Sequence, residues 1–125
     1  MSGSPTLEDM SFVFESLVVL HFIGLAALLG GWLVQISSPT KVVNRAMVDG
    51  AFTQLATGLA MVGLAETVLS DDEDVNHMKI GIKLLILLVI TVLAWANRKK
   101  ESVPTGVWAI IGGLTIVNIV IAVFV

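Results

Sequence analysis

Two side chains stand out for their chemistry. His21 and Glu15 lie inside one long apolar run, where an ionisable group is expensive and must find a partner or a task. Around them the sequence supplies Glu66, Lys79 and Lys83. If the apolar runs are membrane helices, Glu15, Glu66, Lys79 and Lys83 all fall near the same end of the bundle and share one layer. Lys79 and Lys83 are a helical turn apart on one face, and pairing with Glu66 across a short connection is the simplest arrangement. Two readings follow: a salt-bridge set with snorkelling lysines that fixes helix order, or a polar pocket open at that end. His21 falls about 13 Å below the surface, too deep to snorkel, so it must bond within the bundle. It acts there as a neutral hydrogen-bonded histidine, as a proton relay, or as a ligand of haem iron or copper. His77 is the only other histidine, which leaves Met61 as the second soft donor for a metal. No closed zinc site, phosphate loop or activated nucleophile is present in the sequence.

The elements that position these residues are plain from composition. The 125 residues are 56% hydrophobic and 14% charged, with mean hydropathy +0.95, more apolar surface than one small soluble core can hide. The expectation is an all-α integral membrane four-helix bundle forming a single domain, with helices over about 11–36, 46–69, 78–97 and 106–125. Each is long enough to match a hydrocarbon layer of about 30 Å. The net charge of -3 is spread over short connections, so no basic footprint for nucleic acid exists. With no cysteine there is neither a disulfide framework nor a thiolate site. The acidic start, MSGSPTLEDM, followed by an overlong apolar run, predicts no cleaved leader.

Between the first two runs, Ser37, Ser38 and Pro39 stop a helix, and SDDEDVNH between the second and third belongs in water. Lys41 and Arg45, and then Arg98, Lys99 and Lys100, fall in the first and third connections, which places those connections in the cytoplasm and both termini outside. Trp32, Trp95 and Trp108 fall at the same inner ends, where indoles favour the headgroup region. Small residues mark packing faces: Gly24, Ala27 and Gly31 on helix 1, Gly58 on helix 2, and Gly112 and Gly113 on helix 4. Asp49 is within a turn of Arg45, which predicts a surface pair. Gln54 and Asn118 are expected to hydrogen-bond across helices. Helix 3, almost purely Leu, Ile and Val after Lys83, is expected to face lipid or a partner.

The stretches LHFIGLAALLGGW, GLAMVGLA and HMKIGIKLLILLVITVLAWANR resemble the four-helix core of copper-resistance-D-type membrane proteins and J-type protoporphyrinogen oxidases. That resemblance implies a haem-associated or porphyrin-oxidising protein in which an early-helix histidine and a third-helix lysine, here His21 and Lys83, carry function. In format the chain is also similar to small accessory subunits of actinobacterial respiratory supercomplexes. The leading expectation is therefore a non-catalytic accessory or structural subunit of a bacterial plasma membrane complex, respiratory and cytochrome-containing. Its partners are larger integral membrane proteins and lipids, and it carries no cofactor of its own. The alternative is a haem- or copper-linked membrane protein or porphyrin oxidase using His21 and Lys83.

Overall fold

The computed structural model describes residues 6–64 and 77–124. Four helices, α1 (Leu7–Leu33), α2 (Arg45–Leu64), α3 (His77–Asn97) and α4 (Thr105–Phe124), make up the fold, and no strand occurs among the described residues. All four are long and apolar enough to cross a membrane, so the chain is a multi-pass membrane four-helix bundle. Each helix packs on its neighbours in chain order, and α4 returns to α1 to close the ring, leaving α1 and α3 on one diagonal and α2 and α4 on the other. The outward faces carry Phe12, Ile23, Leu85, Val92 and Val120, as a lipid-facing surface requires.

α1 begins earlier than the hydropathy pattern predicts because Thr6 caps it. The Thr6 hydroxyl accepts from the Asp9 N–H at 3.1 Å and the Asp9 carboxylate accepts from the Thr6 N–H at 3.1 Å, a reciprocal box that holds the first turn. At about 1.5 Å per residue α1 is about 40 Å long, more than a hydrocarbon layer, so its first turns, with Glu8 and Asp9, reach beyond it.

In lipid there is no hydrophobic drive between helices, and close backbone approach has to hold them. The α1–α2 seam is built this way. A Cβ added to Gly50 would stand 2.5 Å from the Leu28 nitrogen and 2.6 Å from the Gly24 carbonyl oxygen, and one added to Gly24 would stand 2.9 Å from the Thr53 Cβ. Gln54 straps the same seam by donating its amide to the His21 carbonyl. Arg45 and Asp49 form an exposed pair at 3.1 Å on the far side of α2.

The end of the bundle that carries the connections 34–44 and 98–104 holds much of the buried core, and it differs from the expected interfacial rim. Trp32 and Trp108 do not sit in a headgroup belt. They are 9% and 7% exposed, stack at 4.6 Å, and exchange indole-to-carbonyl hydrogen bonds, Trp32 Nε1 to Trp108 O at 2.8 Å and Trp108 Nε1 to Trp32 O at 3.3 Å. Only Trp95, 48% exposed, lies where a belt residue would, edge-on to Phe52 and under the Arg98 guanidinium. Stacking across α1 and α4 satisfies both indole N–H groups inside the protein, which a buried Trp needs and which hydropathy alone does not reveal.

Lys41, expected in a solvated turn, is buried. Its ammonium donates to the carbonyls of Gln35 (2.6 Å), Ile36 (3.2 Å) and Ser38 (2.7 Å) and lies 4.4 Å from the centroid of the Trp108 ring. It thus ties off carbonyls just past the end of α1, where the helix has no partners of its own to offer. Its own carbonyl accepts from the Val103 N–H at 2.8 Å, pinning the first connection to the third. Gln35 joins them by accepting from the Val42 N–H, and Asn44 caps α2 by accepting from the Met47 N–H. Replacing Lys41 by methionine keeps the stem but takes the ammonium from three carbonyls, of which that of Gln35 keeps the Ser38 N–H at 2.9 Å and those of Ile36 and Ser38 lose their donor. It should cost about 1–3 kcal/mol, read as a lower midpoint in SDS-induced unfolding from mild detergent. A midpoint unchanged from wild type would show that water already serves those carbonyls.

Candidate functional site

Counting along each helix at about 1.5 Å per residue from the two-connection end, His21 on α1 and Thr57 on α2 stand about 18 Å up, and Asn118 on α4 and Lys83 on α3 about 20 Å up. All four helices therefore bring a polar group to one level, toward the end of the bundle that carries the termini.

α2 fixes the state of the histidine. The Thr57 hydroxyl has one proton, and it is directed to the Thr53 carbonyl at 2.6 Å and the Gln54 carbonyl at 3.3 Å, the back-bonding a helical threonine makes inside an apolar bundle. The Thr57 oxygen can therefore only accept from His21 Nδ1, 2.8 Å away. This puts the proton on Nδ1 and leaves Nε2 as a bare lone pair, since the bond one ring nitrogen makes sets the other. Gly58, whose Cβ would lie 3.5 Å from His21 Cε1, leaves room for the ring on the α2 face.

Two adjoining cavities of about 260 and 180 Å³ open at this level, and His21, Met61, Lys83, Leu87 and Asn118 line both. The first reaches the surface between α1 and α4, where Phe22 and Val123 are exposed at its rim. α1 and α4 are held together at the other end of the bundle, where Trp32 meets Trp108 and Gly112, so the gap between them lies at the level of His21. Lys83 is half-buried and makes no hydrogen bond or ion pair among the described residues. The Asn118 side-chain oxygen is buried with no hydrogen-bond partner. The site thus offers an imidazole nitrogen and an unpartnered amide oxygen beside one ammonium, with Gln54 and Thr115 the other polar residues of a lining that is otherwise apolar.

The other residues singled out in the sequence fall as follows. Lys79 is half-buried one turn from Lys83 and lines neither cavity. Glu15 is exposed and pairs with no described residue, so it does not join Lys79 and Lys83 in a shared layer here. Glu66, its expected pairing with the lysines, and the acidic stretch SDDEDVN lie outside the described residues. Of the packing residues, Gly24 meets Thr53, Gly31 meets Asn44 and Met47, Gly58 meets His21, and Ala27 is half-buried. Gly112 lies against the Trp32 indole, whose volume a Cβ there would enter. Gly113 differs from the expectation: one helical step of about 100° turns it away from Gly112, and nothing approaches it within 4 Å. Gln54 does bridge helices, but Asn118 does not.

Reading the sequence missed Thr57 as the residue that sets the histidine tautomer. Counting depth from the helix ends puts it level with His21, and that is the signal available. Among the described residues no group of three or more His, Asp or Glu side chains is gathered for a metal ion. Comparison with family models, with curated proteins and with solved structures finds no match to this chain.

Proposed function

We propose that the chain is a bacterial plasma membrane protein that holds a small amphiphile in the cavity at His21, as a non-catalytic accessory subunit beside larger membrane proteins of a respiratory assembly. One observation carries the binding half of this reading: an unprotonated imidazole nitrogen, a lysine with no partner among the described residues and an orphaned amide oxygen converge on a cavity that reaches the lipid between α1 and α4. Polar groups at this depth are costly, and a bundle that used them only as internal glue would pair them with each other. The accessory role is supported by faces that stay open for other helices. Ala26 and Gly30 on α1, and Ala109 and Gly113 on α4, are four apart, and no atom comes within 4 Å of a Cβ placed on either glycine. The end with Lys41, Arg45, Arg98, Lys99 and Lys100 is taken as cytoplasmic.

A porphyrin iron is the second reading, favoured by the bare Nε2, which is the state a metal-ligating histidine must have. The donor set argues against it. No second imidazole among the described side chains lines either cavity, and Met61 is the one soft donor beside His21. As arranged, the residues do not fit a haem.

Affinity purification from native membranes in mild detergent separates these readings. The accessory reading expects larger membrane subunits to co-purify, and any cytochrome bands to leave with them. It fails if the chain purifies alone. A Soret band that stays with the isolated 13.3 kDa chain and is lost in His21→Ala would replace it with the haem reading.

A further inference from the structure

We infer that the cavity at His21 is a binding site for the head of a reduced isoprenoid quinone, a planar 1,4-diol whose two hydroxyls are shared between His21 Nε2 and Asn118 Oδ1, with the Lys83 ammonium against one of the phenolic oxygens. This deepens the proposed ligand cavity and rests on it.

The argument starts from the pattern of hydrogen-bonding groups. Nε2 has no proton because Nδ1 holds it for Thr57, and Asn118 Oδ1 is an acceptor by nature, so the ligand must bring two donors. The acceptors come from α1 and α4, opposite sides of the portal marked by Phe22 and Val123, so a molecule entering from the lipid passes between them. A ligand with one hydroxyl satisfies one acceptor and leaves the other buried and unmet, which is the costly outcome in an apolar site. A phosphate or carboxylate head suits Lys83 but sets its own lone pairs against those of Nε2 and Oδ1.

The third group selects among diols. Lys83, which pairs with none of the described residues, brings its ammonium to a site lined mostly by apolar side chains, and there it favours an oxygen that carries partial negative charge. A phenolic oxygen, acidic and hydrogen-bonded to a neutral imidazole, does so far more readily than an aliphatic alcohol. The walls agree. Leu84, Leu87, Met61 and Phe14 present flat or pliable apolar surface to a ring, and a methionine thioether packs well on an aromatic edge. Two adjoining cavities of about 260 and 180 Å³ hold a one- or two-ring head but not a long chain, and the gap between α1 and α4 lets an isoprenoid tail stay in the bilayer. A quinone, with two carbonyl acceptors in place of two hydroxyls, can take the Lys83 ammonium and the Asn118 amide N–H but leaves both Nε2 and Oδ1 without a donor. The site therefore prefers the reduced form.

The test is equilibrium binding to the full chain in nanodiscs, by tryptophan fluorescence and calorimetry, using three probes with the same tail: a decyl 1,4-naphthohydroquinone kept reduced, its 1,4-dimethyl ether, and decyl phosphate. The diol should bind, and the ether should bind at least about tenfold more weakly, since it keeps the shape and loses both donors. Asn118→Leu should erase most of that difference, with the unfolding midpoint reporting that the variant is folded. If diol and ether bind equally, or only decyl phosphate binds, in either case with a dependence on His21→Ala, the ligand cavity stands and the quinol assignment falls. If none of the three binds, both fall.

Discussion

Gly50→Leu is expected to separate α1 from α2 and to lower stability by about 3 kcal/mol or more, the upper end of what overpacking a close-fitted core costs. The reason lies in what a side chain would meet. The atoms 2.5–2.9 Å from a Cβ at Gly50 are the Leu28 nitrogen, the Gly24 carbonyl oxygen and the Leu28 Cα, all backbone of α1, so no rotamer change can make room. The helix has to move as a whole. Moving it breaks the Gln54 strap to the His21 carbonyl and the Thr57 bond to His21 Nδ1, both of which cross the same seam. Loss of fold stability should therefore come with loss of any ligand bound at His21. Gly81→Leu is the control, since no atom lies within 4 Å of a Cβ there and the helix propensity of the site improves. SDS-induced unfolding of the two variants beside wild type gives the comparison. Equal midpoints for Gly50→Leu and Gly81→Leu would mean that α1 and α2 do not meet at this seam.

What the sequence made legible and what it concealed divide along a physical line. The four helices were legible because the bilayer imposes a length and a polarity on each spanning segment, and no other structure hides twenty apolar residues so cheaply. Small residues marked packing faces for the same reason, although Gly50, the one set closest against another helix's backbone, was not singled out, because a glycine's contact depends on which backbone lies opposite. The candidate site was half legible. His21 was conspicuous by depth, but Lys83 was assigned to the outer layer with Glu15, Glu66 and Lys79, and only the helix ends seen in the structure bring it level with His21. Their relation to Thr57 and Asn118 was not legible, because the direction a side chain takes round a helix is set by helix rotation, and α1 carries small residues on more than one side. Glu15 shows the limit: it shares a stretch of helix with His21 yet faces away from the bundle. Lys41, Trp32 and Trp108 were misplaced for another reason. Rules for loop charges and aromatic belts treat each residue as meeting lipid or water, whereas Trp32, Trp108 and Lys41 meet one another.

Trp32→Ala follows from that last point, and it separates a belt from a core. If the three tryptophans were interfacial anchors, removing any one of them would cost a similar small amount. The structure predicts a wide split. Trp32 fills the space beside Gly112, stacks on Trp108 and donates to its carbonyl, so truncation leaves a cavity between α1 and α4, a bare Trp108 ring and a buried carbonyl without its donor. Large aromatic truncations in packed cores cost about 3–5 kcal/mol, and the loss of stacking acts on the same atoms, so the two do not add. Trp95→Ala removes an exposed ring whose contacts are the edge of Phe52 and the Arg98 guanidinium, and should cost about 1 kcal/mol or less. Fluorescence of the single-tryptophan chains reads the same distinction directly. Trp95 should be quenched by a brominated lipid labelled near the headgroup, while Trp32 and Trp108 should resist it and emit further to the blue. The consequence reaches the ligand site as well. The Trp32–Trp108 clasp holds α1 against α4 at one end, which leaves the pair free to part at the level of His21, so Trp32→Ala should loosen the portal and raise the rate at which any cavity ligand leaves.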